Sequence, residues 1–425
     1  MALVGLCPFC VHTTNEVVHQ FAELRVIAST PENREGFALA LAYRQRKAPL
    51  MHSRRLYFED VLNIVSCFAV VALHSSLAVF SPARGIAWDR ALVCQAVFIF
   101  AVPVFVMLSG ANLMEYRKRY STAQFFKRRV LRTGLALVVG SAVFYLIYYL
   151  AFRFFPDSYW GARDYTEAFS VGDFLDRLLT DRINDTYWFF YSIIGVYCVT
   201  PLLSLAAERK RLLEGLLAAG FVVAFLIPVL GWAKVLPPEY QQTLTDVPLL
   251  SSSMVFYFLL GYYLRRYVAD TRGVRLAALV ATVTSPVLML LISQGANAGL
   301  PQYDSTPISE GFPLAATFAA GLFCLVRCLE PRLETLGPRA RGVLTTLAST
   351  SLYVYLFHLV AIYWLSMNVP PQTIEFFQRH RVAEALLAFA LTEAASLVIV
   401  LAKRWVKTRR ARRRGSVACP EPSRP

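Results

Sequence analysis

Apolar residues fall into ten long runs separated by short polar segments: 61–80, 91–114, 130–152, 187–207, 212–232, 249–264, 274–293, 312–329, 343–367 and 382–401. A helix crossing a hydrocarbon core of about 30 Å needs roughly 17–25 such residues. The pattern therefore predicts an all-α membrane protein, a polytopic bundle of about ten transmembrane helices. The sixth run is the shortest and has the least defined ends. Pro103, Pro201, Pro228 and Pro286 lie inside runs, which membrane helices tolerate where neighbours satisfy the freed carbonyls. Between the third and fourth runs, a short amphipathic helix is predicted near Val171–Leu179.

Composition agrees with lipid as the solvent. Hydrophobic residues make up 56% of the 425 positions and charged residues 17%, against about 25% charged in soluble domains. An aqueous fold of this chain would expose large apolar patches. The net charge of +15 would suit a nucleic-acid partner if it lay on one face, but it is concentrated between the apolar runs, which excludes that class. With the N-terminus inside, alternate loops hold 34 of the 43 lysines and arginines. The positive-inside rule then places both termini in the cytoplasm of a plasma-membrane protein. None of the eight cysteines falls in an outer segment, so no disulfide framework is expected.

Residues 1–54 are out of character and read as an N-terminal extension. Met51-His-Ser-Arg-Arg looks like a start of its own. Cys7-Pro-Phe-Cys10 with His12 and His19 is too irregular for a zinc site, and no metal is expected. Residues 406–425 form a basic cytoplasmic tail beside anionic lipid heads. In the longest outer segment, acidic residues accompany Tyr159, Trp160 and Tyr165; such rings sit at membrane interfaces and also stack on sugars.

Ionisable groups within a membrane span are costly and mark function. Two histidines qualify, His74 in the first run and His358 in the ninth. Both spans run outward, and both histidines lie at similar depth. On the first helix Asp60, Asn63, Cys67 and His74 share a face, since separations of 3, 7 and 14 return to one angle at about 100° per residue. Ser351, Tyr355 and His358 form a second polar stripe. A neutral imidazole there can take a proton from a hydroxyl or attack a thioester. Arg128, Arg129 and Arg132 stand at the cytoplasmic mouth, where they serve topology and also suit anionic phosphates.

At these residues the chain resembles the acyltransferase 3 family of integral-membrane O-acyltransferases. The similarity runs over about 55–405, which forms one transmembrane domain. It is carried by Tyr57-Phe-Glu-Asp60-Val-Leu-Asn63 through His74, by Val102-Pro-Val-Phe-Val-Met-Leu-Ser109-Gly110, and by Arg128-Arg129-Val-Leu-Arg132. Tyr187-Trp188-Phe189 through Tyr197-Cys-Val-Thr-Pro201, Phe258-Leu-Leu-Gly261-Tyr262 and Ser351-Leu-Tyr-Val-Tyr355-Leu-Phe-His358 follow in order. The resemblance implies that His74 is the catalytic histidine. Asp60, Ser109, Trp188, Ser351, Tyr355 and His358 would support it. The resemblance also implies that the arginines hold an acyl-coenzyme A donor, chiefly acetyl-coenzyme A. The acceptor would be a carbohydrate hydroxyl, as on a cell-surface glycan. The family commonly has arginine eleven residues before the histidine, where this chain has Asn63. The rival expectation is a transporter of small molecules or glycan precursors that uses the two histidines as a proton relay.

Overall fold

The computed structural model describes residues 55–80, 85–154, 169–300 and 302–416. All of these but Arg55 belong to one compact unit, Leu56–Pro425. Cys7, Cys10, His12, His19, Met51, Tyr159, Trp160, Tyr165 and Cys419 lie outside the described residues. Helix accounts for 81% of what is described, and no strand occurs among the described residues.

Every apolar run lies on helix. The first forms α1 (Tyr57–Ser75), and the second is divided between α2 (Ile86–Phe98) and α3 (Ala101–Leu113). The short α4 (Thr122–Arg128) leads into α5 (Val130–Phe154), and α6 (Val171–Leu179) is the amphipathic helix where the sequence places it. Then come α7 (Trp188–Leu203) and α8 (Lys210–Phe221), which continues through a π turn into α9 (Ile227–Trp232). They are followed by α10 (Pro238–Thr245), α11 (Ser253–Arg266), α12 (Arg272–Ala296), α13 (Pro313–Arg327) and α14 (Glu330–Glu334). The chain closes with α15 (Pro338–Ala348), α16 (Ser351–Asn368), α17 (Pro371–Arg379) and α18 (Arg381–Ser416). The basic tail, as far as it is described, continues the last helix.

Among the described residues, eight helical segments are long and apolar enough to cross a membrane unaided, and α15 with α16 makes a ninth, bent by 60°. The remaining run is α11. Its 14 residues span only about 21 Å, short of a bilayer core. Nine of those residues are buried, so α11 is surrounded by protein and need not match the lipid thickness. The lipid-facing surface lies elsewhere, as on α12, where Leu276, Leu279, Val280, Val283, Val287 and Leu291 are all exposed. The protein is a multi-pass membrane protein.

The ninth run reads as one helix by hydropathy, but it breaks between α15 and α16. No proline is present at the break. Instead Ser349 and Ser351 each donate a hydroxyl hydrogen bond to the carbonyl three residues back, on Thr346 and Ala348, while the Thr350 hydroxyl, beside the Leu347 carbonyl, gives its one proton to Glu393 on α18. Hydroxyls that bond back to the backbone compete with the helical ladder and bend it.

The tightest crossing joins α3 to α11. A Cβ on Gly110 would lie 1.7 Å from the carbonyl oxygen of Phe258, and one on Gly261 would lie 2.0 Å from that of Met107. Each glycine thus faces the carbonyl three residues before the other. Carbonyls point toward a helix's C-terminus, so the two glycines are level and the helices run in the same direction. Small residues allow such close backbone approach in a membrane.

At the start of α1, Glu330 accepts the backbone N–H groups of Tyr57 (3.1 Å) and Phe58 (2.7 Å) with its two carboxylate oxygens. These are donors that the helix cannot satisfy internally. Glu330→Ala is expected to cost about 1 kcal/mol, the usual value of a lost cap, seen as a lower Tm of the detergent-solubilised protein. An unchanged Tm would show that the cap is dispensable.

The turn between α6 and α7 carries a pH-sensitive group. Asp181 has a left-handed backbone, φ 53°, and burial together with the neighbouring Asp185 raises its pKa to about 6. The folded protein therefore binds this proton more tightly than the unfolded chain does. The contribution to stability is complete at low pH and is lost as pH rises through about 6. Asp181→Asn, which tolerates the same backbone, should raise Tm at pH 7.5 and leave it unchanged at pH 4. A gain of equal size at both pH values would contradict this.

Candidate active site

The site forms where α1 and α16 lie side by side. The Asn63 amide donates to the carbonyl of Ala348 (3.2 Å), and the Cys67 thiol approaches the carbonyl of Ser351 (3.7 Å). Further along, the rings of His74 and His358 stand 5.1 Å apart, tilted by 41°. Residue numbers rise together along both helices, so the two polar stripes face each other in parallel. The matched depth expected from the sequence is therefore real contact.

His358 is 1% exposed. Its Nδ1 lies 2.8 Å from the carbonyl oxygen of Tyr355, and a carbonyl only accepts, so Nδ1 carries the proton. That leaves Nε2 with a free lone pair, buried and without a hydrogen-bond partner among the described residues. The chain thus places a proton-accepting nitrogen beside the ring of His74.

His74 lines a cavity of about 230 Å³ that it shares with Trp188 and Tyr355. Tyr355 is fixed from three sides. Its hydroxyl donates to the carbonyl of Thr186 (2.5 Å), and its ring packs on Phe189 and Phe190. Gln95, Ser309 and Glu310 supply polar groups to the same wall. The Gln95 amide donates to the carbonyl of Leu73 (2.7 Å) and to the Ser76 hydroxyl (2.9 Å), which ties α2 to the end of α1 that bears His74. Sequence reasoning missed Gln95, Ser309 and Glu310. Gln95 is a polar residue inside an apolar run and Ser309 and Glu310 stand just before another, which was the only hint, because the 302–312 segment reaches the cavity through tertiary folding.

The other expected site residues separate from this cavity. Asn63 and Ser351 serve the α15–α16 break, and Asp60 is buried lower on α1. The Ser109 hydroxyl contacts that of Tyr197 (3.4 Å), and Arg129 lies within electrostatic range of Tyr197. Arg128 stacks on Tyr120 at 5.1 Å, and Arg128, Arg129 and Arg132 are all exposed. This end of the bundle also holds a polar knot. Glu59 pairs with Arg265 (2.9 Å) and accepts from Asn112 (2.9 Å), while Arg117 donates to Ser204 (3.0 Å) and Pro201 (3.1 Å). His74 lies fifteen residues beyond Glu59 on α1, roughly 22 Å along the axis. The basic segment and the histidine pair therefore occupy opposite ends of the bundle.

In this arrangement the chain has a buried imidazole fixed in one tautomer, a second imidazole on a cavity wall, and an aromatic and polar lining. It can accept a proton from a bound hydroxyl. A family model described as an acyltransferase domain matches residues 56–401. No significantly similar curated protein and no significantly similar solved structure was found.

Proposed function

Because the chain belongs to the acyltransferase 3 family, and is therefore a membrane-embedded O-acyltransferase, we propose that it moves an acetyl group from acetyl-coenzyme A to a carbohydrate hydroxyl. The observation that carries this reading is the His74–His358 pair on the wall of an aromatic and polar cavity. Trp188 and Tyr355 offer ring faces to a sugar, and Gln95, Ser309 and Glu310 offer hydrogen bonds to its hydroxyls. The acceptor hydroxyl gives its proton to His74, and its oxygen attacks the thioester carbonyl carbon. The carbon–sulfur bond breaks, and the proton passes to the departing thiolate. His358 Nε2, whose lone pair stands open beside the His74 ring, is placed to take up the other N–H of His74 as the reaction proceeds, in the role of the third group in a triad.

The donor's phosphates would rest on Arg128, Arg129 and Arg132, with both termini on that cytoplasmic side of the plasma membrane. The acyl group would travel the length of α1 to reach the cavity, and the modified glycan would leave on the far side. The test uses membranes that contain the protein, supplied with radiolabelled acetyl-coenzyme A. The expected product is label in the envelope glycan fraction that mild alkali releases, as an ester requires. Alkali-stable label, or none above membranes lacking the protein, would overturn the proposal.

A further inference from the structure

Within α18, inside the membrane-spanning stretch, stands a carboxylate with no role in the reaction above. A charged group at such a place is costly and is retained for a reason. Both oxygens of Glu393 accept the hydroxyl of Thr350, at 2.7 and 2.9 Å. Thr350 is one of the two residues, with Ser349, between the end of α15 and the start of α16. Two further side chains hold the same break from α1, Asn63 on the Ala348 carbonyl and Cys67 on the Ser351 carbonyl.

We infer that Glu393 and Thr350 are positioning residues that fix the bend between α15 and α16 and so hold His358 against His74. Without this brace the Thr350 hydroxyl loses its carboxylate partner, and the two arms can straighten about the Ser349–Ser351 hinge. The α16 helix would rotate or slide against α1. His358 lies two turns beyond Thr350 on α16, so a small change at the bend moves its ring by an amount comparable to the ring contact itself. Asn63 acts in the same brace. Its amide has the right length to hold the Ala348 carbonyl at the break.

The inference rests on the reading of His74 and His358 as the reacting pair, and the test keeps the two separable. The full-length protein in nanodiscs is treated with diethyl pyrocarbonate, and modification of each histidine is measured by peptide mass spectrometry. In the parent protein His74 reacts and His358 is protected. Glu393→Leu and Thr350→Val are each expected to raise His358 labelling about tenfold, the effect of weakening local closure by that factor. Both should lower acyl transfer about 100-fold, as displaced catalytic geometry does. Glu393→Gln, whose carbonyl still accepts from Thr350, should stay within about twofold on both measures, and Thr350→Ser should do the same. If Glu393→Leu fails to insert, Thr350→Val carries the test. Unchanged protection of His358 in Glu393→Leu and Thr350→Val would overturn the brace, as would Glu393→Gln falling as far as Glu393→Leu. Loss of protection with undiminished transfer would leave the brace standing and remove the histidine pair from the reaction.

Discussion

His74→Ala is expected to lower acyl transfer about 10³-fold or more, in the range that general acid–base groups contribute, with the helices still correctly inserted. The fold should survive because His74 stands on a cavity wall, so truncation enlarges an existing space of about 230 Å³ rather than opening the packed core. His358→Ala should cost less, about 100-fold, because it removes the partner of the base and not the base itself. The measurement is transfer per mole of purified, monodisperse protein. If His74→Ala retained more than half of the parent rate, the proton would have to go elsewhere, and Glu310 on the same wall would be the next group to test.

The largest structural effect is expected at Gly110 and Gly261. Substituting alanine at either position puts a methyl group within 1.7–2.0 Å of a backbone carbonyl oxygen. No rotamer relieves this, so α3 and α11 must separate. Overpacking a core costs about 1–3 kcal/mol and more when backbone must move, and here the shift reaches far. Arg265, four residues beyond Gly261, ties α11 to Ala111, Asn112 and Glu59. Separating the helices would break that knot at the basic end. Gly261→Ala should therefore aggregate on solubilisation or lower Tm by a few degrees, at about 1 °C per kcal/mol for a chain of this size. A monodisperse variant with parent-like Tm would show that the crossing is looser than described.

Much of this was legible in the sequence, and the remainder was hidden for physical reasons. Hydropathy located every spanning run, because lipid demands a continuous apolar surface. The polar stripes on α1 and α16 were readable by periodicity, and their equal depth anticipated the His74–His358 contact. The break before Ser351 was not anticipated, since hydropathy does not register backbone angle; the Ser349-Thr350-Ser351 run was the available signal. The α11 helix reads as an ordinary span by composition, yet its shortness is tolerated because protein and not lipid surrounds it. Gln95 and Glu310 belong to the site only through tertiary folding, which no local pattern encodes. Glu393 was one of two carboxylates, with Glu384, in its apolar run, and its partner lies 43 residues away at the break between α15 and α16.

On the proposed function this bundle is a reaction chamber for acyl transfer and not a conduit. The most direct test uses purified protein in sealed liposomes, with labelled acetyl-coenzyme A on one side and a carbohydrate acceptor on the other. Ester-linked label on the acceptor that depends on donor and on His74 is the predicted result. Flux of the carbohydrate across the bilayer in the absence of donor, with no ester formed when donor is present, would contradict it.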